Sequence, residues 1–145
     1  RVELLQDWLA KSLPGVEPRR LQRNSTGAQP YVLMGHCTER ALVPTANQRW
    51  IEVFSRFGLT LRAAEVGCCG MCGLFGHEAE HAEESKDIYR SSWQKQLPQD
   101  SEARRRYLAT GYSCRSQAKR VDGERLRHPV EALTEELGLG APPAP

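Results

Sequence analysis

The sequence predicts an α/β fold: a small three-layer domain in which a parallel sheet of about four strands is flanked by helices. Short, continuous apolar runs such as Tyr31-Val32-Leu33-Met34 read as strands buried on both faces. They alternate with longer stretches whose apolar residues recur at helical spacing, and that alternation points to right-handed βαβ crossovers. A length of 145 residues suits one domain with a core of its own.

Val2, Leu5, Trp8, Leu9 and Leu13 recur at helical spacing, and Pro14-Gly15 ends that segment. Residues 1–29 therefore read as a helix and polar linker from a preceding region. The start at Arg1, already inside an amphipathic pattern, suggests a piece of something longer. The domain proper spans 30–139. Its first strand, 31–34, leaves through an exit loop, Gly35 to Arg40. A helix follows Pro44-Thr45, with Thr45 and Gln48 in capping-box relation, Trp50, Ile51, Phe54 and Phe57 as its inner stripe, and Gly58 at C′. Leu59 to Val66 is the second strand. Residues 78–97 read as one long helix, with Ile88, Tyr89, Trp93 and Leu97 on one face.

Tyr107 to Thr110 is the third strand, followed by a short basic helix to about Val121 and a turn at Asp122-Gly123. Leu126-Arg127 reads as a brief fourth strand. His128 is a capping residue, and Pro129 opens a last helix through Val130, Leu133 and Leu137 that Gly138 stops. Residues 140–145 read as a disordered tail. The whole order is Rossmann-like.

Composition narrows the function classes. Twenty Lys and Arg against 18 Asp and Glu leave a formal charge of +2, which gives no case for a dedicated nucleic-acid surface. The basic clusters Arg104-Arg105-Arg106 and Arg115 to Arg120 read as solvated helix faces. No stretch has the 18 apolar residues of a membrane span, and no signal peptide is visible. Five cysteines, an odd number with vicinal and C-x-x-C spacing, argue against an extracellular disulfide framework and for a reducing, cytoplasmic setting.

Where those cysteines fall is the functional signal. Cys37 follows the first strand, Cys68-Cys69 ends the second, and Cys114 follows the third. Ligands in open α/β sheets bind outside the carboxyl ends of the strands, so three remote stretches are expected to deliver thiols to one pocket. Thiolates are soft anionic donors for zinc and iron–sulfur clusters. Adjacent cysteines do not both bind one ion in relaxed geometry, yet they suit different atoms of a cluster. Gly67, Gly70, Gly73 and Gly76 would let backbone N–H groups approach the sulfurs. His36 and His77 flank the cysteines as further candidate ligands or proton carriers. The plain alternative is that buried cysteines act as small hydrophobes. His77-Glu78-Ala79-Glu80-His81 also fits the H-E-x-x-H zinc-peptidase pattern, but it sits at a helix start and Glu84 holds the glycine place of the longer form. An acidic helix N-terminus is the simpler reading.

Together, His36-Cys37-Thr38-Glu39-Arg40, Gly67-Cys68-Cys69-Gly70-Met71 and Ala109-Thr110-Gly111-Tyr112-Ser113-Cys114-Arg115-Ser116-Gln117 resemble the cysteine-rich CCG domain found in heterodisulfide reductases and in glycolate oxidase iron–sulfur subunits. The nearer resemblance is to the C-terminal end of large FAD-linked oxidases. Gly76-His77-Glu78, Ser85 to Tyr89, Trp93 and Arg125 to Leu133 look like their D-2-hydroxyglutarate dehydrogenase type.

The resemblance implies a module, inactive alone, of a flavin- and iron–sulfur-dependent oxidoreductase acting on D-2-hydroxy acids. FAD and 4Fe-4S centres would lie in the remainder of the parent chain. The partners implied are that chain's flavin and ferredoxin-like domains and an electron acceptor. Cys37, Cys68, Cys69 and Cys114 match the cluster motif and are the implied metal ligands, for an iron–sulfur cluster or zinc. Cys72 is extra, and Gln117 stands where the motif has its last cysteine. The competing expectation is a non-catalytic interaction domain with vestigial cysteines.

Overall fold

The computed structural model describes residues 2–13 and 29–139. Residues 14–28 of the expected linker (14–29) and the expected tail (140–145) lie outside the described residues. Three parallel strands, β1 (Tyr31–Met34), β2 (Leu61–Ala63) and β3 (Tyr107–Ala109), form one sheet in the order β2-β1-β3. Tyr31, Val32 and Leu33 register against Leu61, Arg62 and Ala63, while Val32, Leu33 and Met34 register against Tyr107, Leu108 and Ala109. The all-apolar run has thus become the central strand, where both faces need cover.

The pleat of β1 sorts its side chains into two cores. Val32 and Met34 pack with Ala64, Cys69, Tyr89, Trp93, Cys114 and Ala118, beneath the helices α4 (Ala82–Ser92) and α6 (Tyr112–Asp122). Tyr31 and Leu33 pack with Trp50, Val53, Phe54 and Leu133, beneath α3 (Ala46–Arg56) and α7 (Pro129–Glu136). Helices therefore cover both faces, as the alternation predicts. The N-terminal helix α1 (Leu5–Ser12) lies against α3. No described helix is long and apolar enough to cross a membrane.

Five details differ from the sequence expectations. The second strand covers only Leu61–Ala63 of the expected Leu59 to Val66. The fourth strand is a single parallel bridge between Leu108 and Arg127, because His128 turns at once into the cap of α7 and leaves no room for a longer ladder. The segment read as the first exit loop is helical, α2 (Cys37–Leu42), so Cys37 opens a helix. The expected long helix is only α4, since Glu78 and Leu97 are extended and 3₁₀ turns occupy Ala79–His81 and Gln94–Gln96. Thr45 makes no capping bond: it sits in the helical region, and the Ala46 N–H goes to the Val43 carbonyl in a turn instead. The His128 cap does form, as a reciprocal box with Glu131. A further short helix, α5 (Ser101–Arg104), is capped by the Asp100 carboxylate.

Candidate metal and thiol centre

With β1 central and the connections leaving it in both directions, the C-terminal ends of β1 and β3 flank the point where strand order reverses. That crevice is where such sheets take ligands. One hydrogen bond closes it: the His36 N–H, just after β1, donates to Thr110 Oγ1, just after β3, at 3.0 Å. Cys37 and Cys114 leave from these two exits.

The vicinal pair arrives from β2 on a loop tied to α4. Gly67 N–H donates to Ser92 Oγ at 2.7 Å, and Trp93 Nε1–H donates back to the Gly67 carbonyl at 3.0 Å. Gly70 then turns the chain at φ +87°, so close to α4 that a Cβ there would lie 2.1 Å from the Ser85 carbonyl oxygen. On the opposite side, a Cβ on Gly111 would meet the His36 ring at 2.6 Å and Cys114 Sγ at 2.9 Å. His36 and Cys114 therefore converge on a residue with no side chain.

Cys69 and Cys114 are buried in one core cluster, and Cys37 is near enough to act electrostatically on both Cys68 and Cys114. Cys69 is buried but sits in a cradle of donors: the Cys114 thiol chiefly, then backbone N–H groups, one of them from Met71, and the Ser113 side chain. They hold its pKa down to about 7 against the opposing effect of burial. Cys114, the donor in that pair and buried itself, is pushed strongly upward. Burial raises Cys68, while the Gly70 N–H at 3.3 Å from its sulfur works the other way.

Tetrahedral zinc with bonds of about 2.3 Å needs sulfurs roughly 3.8 Å apart. Among the described residues, no three cysteine sulfurs lie within 4.8 Å of one another. As placed, the four sulfurs do not meet that spacing for one ion.

The other candidates separate from this pocket. His77 is exposed in the 3₁₀ turn Phe75–His77, and no described interaction ties it to a cysteine. The H-E-x-x-H expectation fails on backbone grounds: Glu78 is extended at ψ 132°, so His77 and His81 do not share a helical face. His81 instead stacks on Phe75 at 4.3 Å and groups with Glu78 and Glu80 in a partly exposed acidic cluster. Gln117 is fully buried one turn after Cys114. Its Nε2 donates to the Ser85 carbonyl and hydroxyl at 3.0 and 2.9 Å, while its Oε1 has no partner. It ties α6 to α4 through Ser85.

Cys72 stands apart, exposed at φ +26° on the outer side of that loop. Under native conditions iodoacetamide is expected to label Cys72 first and the buried Cys69 and Cys114 last, by more than about tenfold in rate, since exposure controls access. Peptide mass spectrometry over time reads this order; equal rates at Cys72 and Cys114 would contradict the burial described.

Over most of its length the chain is similar to one segment of much longer proteins. It is 45% identical over 134 residues to the D-2-hydroxyglutarate dehydrogenase of Pantoea ananatis, covering 92% of this chain and 12% of that protein. The D-2-hydroxyglutarate dehydrogenase of Escherichia coli gives the same figures, and that of Pseudomonas putida is 42% identical over 93% of this chain and 12% of its own length. The chain thus spans about 12% of the length of the curated relatives it matches. No family model and no solved structure matches it.

Proposed function

We propose that this chain is the cysteine-rich C-terminal module of a flavin- and iron–sulfur-dependent oxidoreductase that oxidises D-2-hydroxy acids such as 2-hydroxyglutarate. The observation that supports this reading is 45% identity to part of D-2-hydroxyglutarate dehydrogenases, in a chain whose Cys69 and Cys114 share one buried cluster beside the His36–Thr110 link. Hydroxy-acid oxidation breaks the C2–H bond, sends a hydride to an acceptor such as FAD, and releases the hydroxyl proton to leave a 2-oxo acid. This module's share is an electron-transfer or docking centre. Cys37, Cys68, Cys69 and Cys114 would hold an iron–sulfur cluster there, with His36 at its rim and the Cys69 donor cradle favouring the anionic sulfur a metal needs.

Anaerobic preparation followed by iron, labile-sulfide and zinc analysis tests the centre. Iron and sulfide are expected in this chain and lost in its Cys37/Cys68/Cys69/Cys114→Ala quadruple variant. Protein free of both, with the variant as stable as the parent, would sink the metal assignment.

A second reading, a docking module with vestigial cysteines, is favoured by a different observation. An apolar groove of about 530 Å³ runs between α1, α3 and α7, lined by Leu5, Trp8, Phe57, Val130 and Leu137 among others, with Trp8 51% exposed. Binding of the quadruple variant to the flavin and ferredoxin-like regions of a parent enzyme would support that reading.

A further inference from the structure

The N-terminal helix reaches the cysteine pocket through one buried contact that no sequence pattern marks. Gln6 is the only residue of α1 that is fully buried, at 2% exposure, although a polar side chain gains nothing from burial without a partner. Its Nε2 donates to Glu39 Oε1 at 2.5 Å. Glu39 lies in α2, two residues after Cys37. Its other oxygen, Oε2, accepts the Thr110 hydroxyl at 2.5 Å, and Thr110 Oγ1 in turn accepts the His36 N–H at 3.0 Å. One carboxylate therefore joins three separate stretches: α1, the exit of β1 with Cys37, and the exit of β3 with Cys114.

We propose that Glu39 is a positioning residue for the thiol pocket, with Gln6 and Thr110 as its two holders, so that α1 is a strut of the site. The inference rests on the reading of these cysteines as the functional centre. The physical reason is an asymmetry. Glu39 appears in no ion pair among the described residues, and its two described partners are the neutral donors Gln6 and Thr110, so its geometry depends on both. Bonds to a charged acceptor are stronger than neutral ones, and an unmet partner in a half-buried place carries the full desolvation cost. The chain Gln6–Glu39–Thr110–His36 spans the reversal point on which Cys37 and Cys114 depend. Cutting the chain at Glu39 removes the tie from α1 and leaves the His36–Thr110 bond without its carboxylate support. The remaining contacts of α1, with Leu9 and Leu13 on the core of α3 and an Asp7–Arg49 ion pair at 3.7 Å, are made to α3 and would keep the helix docked without fixing the pocket.

Thiol labelling of the metal-free protein tests this, because it needs no cluster and so stands whether or not a metal ever binds. The quantity is the iodoacetamide rate at buried Cys114 divided by that at exposed Cys72 in the same molecule. Glu39→Ala is expected to raise that ratio about tenfold, the equivalent of losing one charge-assisted bond. Gln6→Leu, which keeps volume and removes the donor, is expected to raise it several-fold. Glu39→Gln is expected to restore the parental ratio within about twofold, since the amide of Gln6 can turn over and pair with a second amide. Val53→Ala, in the opposite core, controls for general loosening.

An unchanged ratio in Glu39→Ala, or a rise no larger than in Val53→Ala at the same melting temperature, overturns the proposal. So does a Glu39→Gln ratio as high as that of Glu39→Ala. If Glu39→Ala does not fold, Gln6→Leu decides alone: a parental ratio there rejects the strut.

Discussion

Trp93→Ala is expected to destabilise the protein by about 3–5 kcal/mol, the usual cost of emptying a buried tryptophan site. At this size that corresponds to a fall in melting temperature of roughly 10 °C or more. The side chain is fully buried beneath the sheet, beside Tyr89 at 6.5 Å between ring centroids. It is also wired to the site, because its indole N–H holds the Gly67 carbonyl immediately before the cysteine pair. Trp93→Phe separates the two roles. It keeps most of the packing and removes the donor, so it should cost less in urea unfolding, while labelling at Cys69 speeds up. A Trp93→Ala loss below about 1 kcal/mol would mean the helix does not seat on the sheet as described.

Gly70→Ala carries the second large effect, and it is concentrated in the site. The residue stands at φ +87°, a region that costs a side-chain-bearing residue about 1–2 kcal/mol. The added Cβ would also fall 2.1 Å from the Ser85 carbonyl oxygen. Because that obstacle is backbone, relief requires the loop to lift from α4. The expected result is a loss of more than about 2 kcal/mol in urea unfolding. Faster alkylation of Cys68 and Cys69 should accompany it, together with release of the buried Gln117 amide from Ser85. Gly73→Ala serves as the contrast: its φ is +64° but a Cβ there meets nothing within 4 Å, so only the backbone cost applies. Equal losses at both positions would show that the close approach to Ser85 is not made.

Much of this architecture was legible before any coordinate. The apolar run at 31–34 identified a strand buried on both faces. Three such runs, each followed by cysteine, pointed to one edge. What the pattern did not contain is which cysteine faces inward, Cys69 being buried with Cys114 while Cys72 is exposed, since periodicity carries no information about which side of a loop faces the core. The helix beginning at Cys37 was hidden by Gly35 and Thr38, which read as loop residues, while the helix-favouring Glu39-Arg40-Ala41-Leu42 was too short a stretch to outweigh them. The break at Glu78 was hidden for the opposite reason: the acidic residues that follow it suit a helix start so well that the extended residue went unseen. Gln6 and Glu39 are 33 positions apart and left no signal, because a single polar residue on an amphipathic helix looks the same whether it meets water or a partner.

The strand order has a consequence for how the chain is made. The middle strand is synthesised first, and its second neighbour comes long after: His36 and Thr110, which close the crevice, are 74 positions apart. Pairings of such long range form late, after the loop-closure entropy between them has been overcome. During translation, then, Cys37, Cys68, Cys69 and Cys72 all emerge before the segment carrying Cys114, against which Cys69 is buried. Any oxidant would meet the Cys69 thiol uncovered during that interval.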